Sequence, residues 1–194
     1  MYIMMKKATT ILILFFCIAC KSQTIVNIST FNNGDNTGKY FKDLDYNFQS
    51  FIGTWENTTN NITFKLFLTM TVKKPMGYPV KYYKDVIEGR FMIIENAGQS
   101  NENIICNSVK YYPNSGFTST NVIFGNANNN VCGGGIDDTC ATGSSPILEG
   151  SFKLTKLNNT TGLPQAQWEV YKDGITIEGQ NFSVPTNVIL TKVN

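Results

Sequence analysis

The alternation of apolar and polar residues between Ile62 and Lys73 constrains the fold more than any other feature of the sequence. Every second position of this segment is apolar, namely Ile62, Phe64, Leu66, Leu68, Met70 and Val72. Successive side chains of a β-strand point to opposite faces, so the alternation predicts a strand with one buried and one solvated face. We expect this strand to end at residues 74–79, because the prolines there cannot donate hydrogen bonds to a sheet.

Further segments of strand character follow, separated by residues that favour turns. They cover 80–84, 86–95, 104–112, 119–124, 147–154, 165–171, 175–178 and 187–193. Asp173-Gly174 between two of them is a strong hairpin signal. No link is long enough for the helical crossover that a parallel sheet requires. With a strand starting at Phe51, the sequence predicts an all-β fold, an antiparallel up-and-down (lipocalin-like) barrel of about eight strands.

Two other segments interrupt this pattern. Aromatic residues and Leu44 recur every three or four positions between Tyr40 and Phe51, which predicts a short N-terminal helix that plugs one barrel end. Residues 126–145 contain asparagines, three consecutive glycines and two cysteines, and we expect a long loop there. A calcium site at Asp137 and Asp138 is an alternative use of that loop.

The start of the chain predicts export and lipid anchoring. Lys6 and Lys7 precede an apolar run too short to cross a membrane comfortably, and Ala19-Cys20 resembles a bacterial lipobox. We expect residues 1–19 to be a lipoprotein signal peptide, 20–39 a tether and 40–194 a single barrel domain. The resemblance implies acylation of Cys20, which would place the protein on a bilayer in the bacterial cell envelope, facing the periplasm or the outer-membrane surface.

Three cysteines remain after lipidation of Cys20. An oxidising compartment favours one disulfide among Cys106, Cys132 and Cys140. We favour Cys106–Cys140, because it closes a larger segment of chain, and Cys132–Cys140 is the alternative.

The composition argues against several classes of function. The chain contains no histidine, so it lacks the usual base at neutral pH and the commonest zinc ligand. Its formal net charge falls from +2 to zero once Lys6 and Lys7 are removed, which does not favour nucleic-acid binding. Glutamates in the strands, namely Glu56, Glu88, Glu149, Glu169 and Glu178, are expected on the solvated face. We therefore expect no enzyme, no cofactor and no metal site.

The segment Phe51-Ile52-Gly53-Thr54-Trp55-Glu56 resembles the element that opens lipocalin-like barrels. That resemblance implies a barrel base in which Gly53 lets the chain pass beneath Trp55 and Lys192 packs on the indole. Together with Cys20-Lys21-Ser22-Gln23 and the final strand at 184–193, the segment also resembles small uncharacterised lipoproteins common in Bacteroidota.

These features predict a membrane-anchored, non-enzymatic module that binds a small apolar ligand. The expected ligand contacts are Phe64, Phe91, Phe152, Trp168, Tyr78 and Tyr82. The alternative is a structural or protein-interaction lipoprotein with a fully packed barrel and an envelope protein as its partner. An eight-stranded barrel is just wide enough for its own side chains or one small ligand, so we expect weak or no binding of long fatty acids.

Overall fold

The computed structural model describes residues 23–112, 117–141, 147–158, 162–172 and 179–193. Its strands are β1 (Thr24–Asn27), β2 (Lys39–Lys42), β3 (Gly53–Thr59), β4 (Ile62–Met76), β5 (Tyr82–Glu95), β6 (Asn103–Asn107), β7 (Lys110–Tyr112), β8 (Phe117–Ser119), β9 (Ile123–Asn128), β10 (Val131–Asp138), β11 (Leu148–Lys156), β12 (Gln165–Lys172) and β13 (Asn187–Lys192). Two short 3-10 helices occupy Ile28–Thr30 and Asn47–Ser50. The predicted strand at 175–178 and the Asp173-Gly174 turn lie outside the described residues, as does Cys20.

Eight strands close into an antiparallel barrel in the order β3, β4, β5, β9, β10, β11, β12, β13, which confirms the predicted fold class. The barrel closes where Thr191 and Lys192 of β13 pair with Glu56 and Trp55 of β3. Each barrel strand pairs with its neighbour in the chain, except that β6, β7 and β8 are inserted between β5 and β9. The predicted strand at 104–112 is thus divided between β6 and β7, and the one at 119–124 between β8 and β9.

One edge of β5 pairs with three different strands along its length. Tyr83 and Lys84 pair in parallel with β2, residues 87–89 pair with β9, and residues 92–95 pair with β6. The other edge pairs with β4. β9 pairs with β5 only at residues 87–89, and β2 takes its place along the same edge at Tyr83 and Lys84. β5 and β9 therefore separate before residue 87, which leaves a gap between them on the outer surface of the barrel. This gap forms a groove on the barrel surface.

β4 ends within residues 74–79 as predicted, at Met76, but it includes Lys74 and Pro75, which were expected to break the strand. The strand continues to Met76 past an irregularity at Thr71/Lys74, where Lys73 adopts a φ of 55°. Pro75 is tolerated because β3 pairs with β4 only as far as Leu68, so the other edge of β4 needs no donor there. The β4–β5 ribbon therefore runs past the barrel, which leaves Val72 exposed although the alternation predicted it inside.

The predicted loop at 126–145 is largely two strands, β9 and β10. The glycines conceal the alternation, but Cys132, Ile136 and Asp138 are buried at every second position with Gly134 in phase. A Cβ atom at Gly134 would lie 2.1 Å from the carbonyl oxygen of Phe124, so this close approach of β9 and β10 requires glycine. Asp137 and Asp138 are neighbours in a strand and point to opposite faces, which does not form a calcium site.

The predicted helix at 40–51 is instead a strand, a turn and one 3-10 turn. Tyr40 and Phe41 are buried in β2, whereas Leu44 is exposed. The carboxylate of Asp43 accepts hydrogen bonds from the backbone N–H groups of Asn47 and Phe48, which start the 3-10 helix. The segment still covers one barrel end, because Phe48 and Phe51 are fully buried in the core. Residues 24–39, expected to be tether, pack on the barrel through β1 and β2.

Candidate functional site

The covered end of the barrel contains Gly53, Trp55 and Lys192. Trp55 is fully buried and its Nε1 donates a hydrogen bond to the carbonyl oxygen of Phe51 at 2.7 Å. The Lys192 Nζ lies 5.7 Å from the indole centroid and donates to the carbonyl of Ser50 at 3.4 Å. Burial lowers the pKa of Lys192. Gly53 has a φ of 127°, a conformation that favours glycine. These contacts fasten the segment before β3 to the last strand.

Aromatic side chains from four strands meet in the barrel interior. Phe64 lies 6.1 Å from Phe91 and 5.7 Å from Trp168, and Phe152 stacks on Trp168 at 5.3 Å between ring centroids. All four are at most 3% exposed. Four of the predicted ligand contacts thus contact one another and fill the space that a ligand in the barrel centre would need.

The opposite barrel end is covered by residues 179–186. The Asp138 carboxylate is fully buried and accepts hydrogen bonds from the backbone N–H and Oγ of Ser183, and from the N–H of Cys140. The Trp168 Nε1 donates to the carbonyl of Pro185 at 2.8 Å, and Val184 is buried beneath it. A cleft of about 300 Å³ remains beside this cover, and its lining includes Ile62, Phe64 and Val188.

Cys106 and Cys140 form a disulfide, with their Cα atoms 6.2 Å apart. It ties β6 to the residues that follow β10, close to the barrel end that residues 179–186 cover. Cys132 is a free and fully buried thiol, and burial raises its pKa to about 12. A thiol of this kind packs as an apolar side chain.

Tyr78 and Tyr82 were predicted as ligand contacts, and the structure places them differently from each other. Tyr78 is 99% exposed in the turn that connects β4 and β5. The Tyr82 ring packs 5.7 Å from Phe31 and 5.9 Å from Phe41. Tyr82 therefore supports the N-terminal strands, while Tyr78 faces solvent.

The buried carboxylates hold the polypeptide backbone in place. Asp85, fully buried, accepts hydrogen bonds from the Tyr40 hydroxyl at 2.7 Å and from the backbone N–H groups of Asp43 and Lys73. Burial of the Tyr40 side chain, followed by this hydrogen bond to Asp85, raises the pKa of the Tyr40 hydroxyl. Glu88 was predicted on the solvated face, but it is buried and bonded to Thr71 and Lys74. The bent end of β4 folds over it, which the alternation alone does not reveal.

A half-open groove of about 340 Å³ lies on the outer surface where β5 and β9 separate. We call it the outer groove. Its lining is Lys74, Met76, Lys84, Val86, Phe124, Gly125, Asn126, Gly133 and Gly134. The lining is mainly apolar, and the glycines expose backbone in place of side chains. Lys74 lies over the Phe124 ring, with 5.1 Å between its Nζ and the ring centroid.

Lys84 is the unusual residue of the outer groove. It is only 7% exposed, and its Nζ sits 4.2 Å from the centroid of the Phe31 ring. Burial lowers its pKa, since the charged form loses hydration. Among the described residues, no carboxylate forms an ion pair with it. Sequence reasoning missed this residue. The available signal was the spacing of Lys84, Val86 and Glu88, which places all three side chains on one face of the strand.

The described part of the chain holds no group of three or more histidine, cysteine, aspartate or glutamate side chains placed to bind a metal ion. No helix within it has the length and apolar character needed to cross a bilayer.

A closed eight-stranded up-and-down barrel, covered at both ends by its own chain, defines the class as a lipocalin-like barrel. The chain belongs to the family of unknown function DUF6705, whose model matches residues 5–193. No curated protein and no solved structure matches the chain significantly.

Proposed function

We propose that this chain is a lipid-anchored, non-catalytic binding module of the bacterial cell envelope, of the type found in small Bacteroidota lipoproteins. Its barrel is a packed scaffold, and recognition takes place on the outer surface. Recognition on the outer surface is supported by the aromatic cluster in the barrel interior, which consists of Phe64, Phe91, Phe152 and Trp168. The outer groove offers a free apolar surface with a buried cation instead.

The anchor rests on the sequence around Cys20 and on the position of β1. Ala19-Cys20 follows the apolar run, and the first described strand begins at Thr24. Four residues of extended chain span at most about 14 Å. An acylated Cys20 would therefore hold the N-terminal strands, and the β5 segment that pairs with them, close to the membrane surface.

A non-catalytic role is supported by the use made of the buried acids. Asp43, Asp85 and Asp138 each accept backbone N–H groups, and Glu88 pairs with Lys74. A general base must be free to take a proton from a substrate, and these carboxylates are committed to structural contacts.

The second candidate is a structural lipoprotein that binds an envelope protein. The β4–β5 ribbon projects beyond the barrel and presents Tyr78 and Val80 at its tip, 99% and 51% exposed. Exposed aromatic residues are enriched where proteins meet. Replacing Tyr78 by alanine would then remove capture of an envelope protein without changing small-molecule binding.

Mass spectrometry of the protein produced in a bacterium that processes lipoproteins tests the anchor. We expect a mature N terminus at Cys20 carrying diacylglyceryl and N-acyl mass, and partition into detergent. Cys20→Ala should abolish the added mass, whereas Cys17→Ala, a matched change within the leader, should preserve it. A mature N terminus elsewhere, or an unmodified Cys20, would refute the anchored function.

A further inference from the structure

We propose that the outer groove binds a small monocarboxylate with an apolar body, whose carboxylate pairs with Lys84. This proposal deepens the binding function above and rests on it. The charge, the apolar walls and the size of the groove together define the ligand.

The charge of the groove is one uncompensated cation. Lys74 and Lys84 pair directly across the β4–β5 ladder, an arrangement that destabilises a sheet unless the charges are offset. Glu88 balances the charge of Lys74 by forming an ion pair with it. Lys84 has only the face of Phe31 for its ammonium group among the described residues. A single negative charge on a ligand would balance the charge of Lys84, as Glu88 balances that of Lys74.

The walls of the groove favour an apolar ligand body beside that charge. Met76, Val86 and Phe124 form its sides. Phe124 is 37% exposed although it lies in a barrel strand, so covering it would remove apolar surface from water. Gly133 and Gly134 contribute backbone to the floor, and Gly133, on the outer face of β10, has no side chain to cover it, which lets a flat or linear group approach the backbone.

The size and the neighbouring acid narrow the choice of anion. A volume of about 340 Å³ is near the lower limit for small-molecule pockets. A phosphate monoester carries close to two charges at neutral pH and would meet the Glu88 carboxylate with only one free cation to balance it. A monocarboxylate matches the single cation and accepts hydrogen bonds from its ammonium group.

Calorimetric titration of decanoate into the full chain carrying Cys20→Ala tests the proposal. We expect saturable binding with one site per chain, and much weaker binding of decanol and decylamine, which share the alkyl body but lack the carboxylate. Amide NMR shifts should change at Phe124 and Gly133 and not at Trp168. Equal binding of decanol, shifts confined to the barrel interior, or no binding of decanoate at millimolar concentration would overturn the proposal.

Substitutions separate the role of Lys84 from general folding effects. Lys84→Met keeps the apolar stem and should weaken decanoate binding by about tenfold or more, the usual loss for a hydrogen bond to a charged group. Lys84→Arg should retain binding. Lys65→Met is the matched control, because Lys65 also lies in the β4–β5 ladder but is paired with Glu56 at 3.3 Å. Unchanged binding by Lys84→Met would overturn the assignment.

The two proposals fail in distinguishable ways. An acylated Cys20 without decanoate binding would leave the anchored function intact and refute the groove ligand. Decanoate binding that depends on Lys84, in a chain whose Cys20 is never acylated, would support the groove and refute the anchor.

Discussion

At the residue scale, Trp55 shows how one buried ring joins distant parts of the chain. Its indole contacts Phe51 through a hydrogen bond and Lys192 through its face. Trp55→Ala should lower the free energy of unfolding by about 3–5 kcal/mol, as expected for a large core truncation. Chemical denaturation measures the change. Tyr78→Ala is the control, because Tyr78 is 99% exposed, and its stability should match that of the wild type.

Lys84 has the opposite balance, since its burial opposes folding when it is charged. Its folded pKa is lowered from the ordinary value, so the protonated form destabilises the fold below that folded pKa and the cost disappears as pH rises towards the unfolded value. Lys84→Met should therefore be more stable than the wild type at neutral pH, with a difference that shrinks at alkaline pH. The charges of Lys74 and Glu88, which lie on the same face as Lys84, are the same in the wild type and the variant.

Denaturation curves of the two chains between neutral pH and pH about 10.5 check this sign. A difference that grows with pH would show that Lys84 is stabilised by a partner and would contradict the burial argument. The same measurement shows that Lys84→Met folds, which makes its loss of ligand binding interpretable.

At the scale of elements, the β9–β10 hairpin depends on where its glycines lie. A Cβ atom at Gly134 would meet the Phe124 carbonyl oxygen at 2.1 Å, whereas one at Gly135 would meet only the Gly150 carbonyl at 4.0 Å. Gly134→Ala should therefore cost about 1–3 kcal/mol through overpacking. Gly135→Ala should leave the melting temperature unchanged or raise it, because alanine restricts the unfolded chain. Equal effects of both changes would contradict the register of this hairpin.

The elements also show how far the sequence predicted the structure. Ile62 to Leu68 alternated clearly, and the strand and its buried face followed from that pattern. The Gly133–Gly135 segment has no side chains to alternate, so β10 was predicted as loop. Tyr40 and Phe41 had spacing that suited a helix, but parallel pairing with β5 through Tyr83 and Lys84 made them a strand. Such pairing between distant segments leaves no local signal.

The candidate site was harder to predict than the fold for the same reason. The aromatic residues of the interior were foreseen as inward, yet whether they leave a chamber depends on contacts among four strands. The outer groove arises because β5 and β9 separate where β2 joins β5, and Lys84 is buried by Phe31 from outside the barrel. None of these contacts follows from the residues of one strand.

At the scale of the whole molecule, the packed interior predicts what the barrel does not bind. Phe152 stacks on Trp168, and the two ends are covered by residues 48–51 and 179–186, so a long alkyl chain has no continuous path inside. An environment-sensitive long-chain fatty-acid probe should bind weakly or not at all within the barrel. Trp168→Ala is the informative variant, because removing the indole creates a cavity that can receive an apolar group. Binding of the probe inside the wild-type barrel would quench tryptophan fluorescence, and Lys84→Met would leave that quenching unchanged. Saturable quenching of this kind at submicromolar probe concentration would contradict the prediction, because it would show that the barrel opens to admit a ligand.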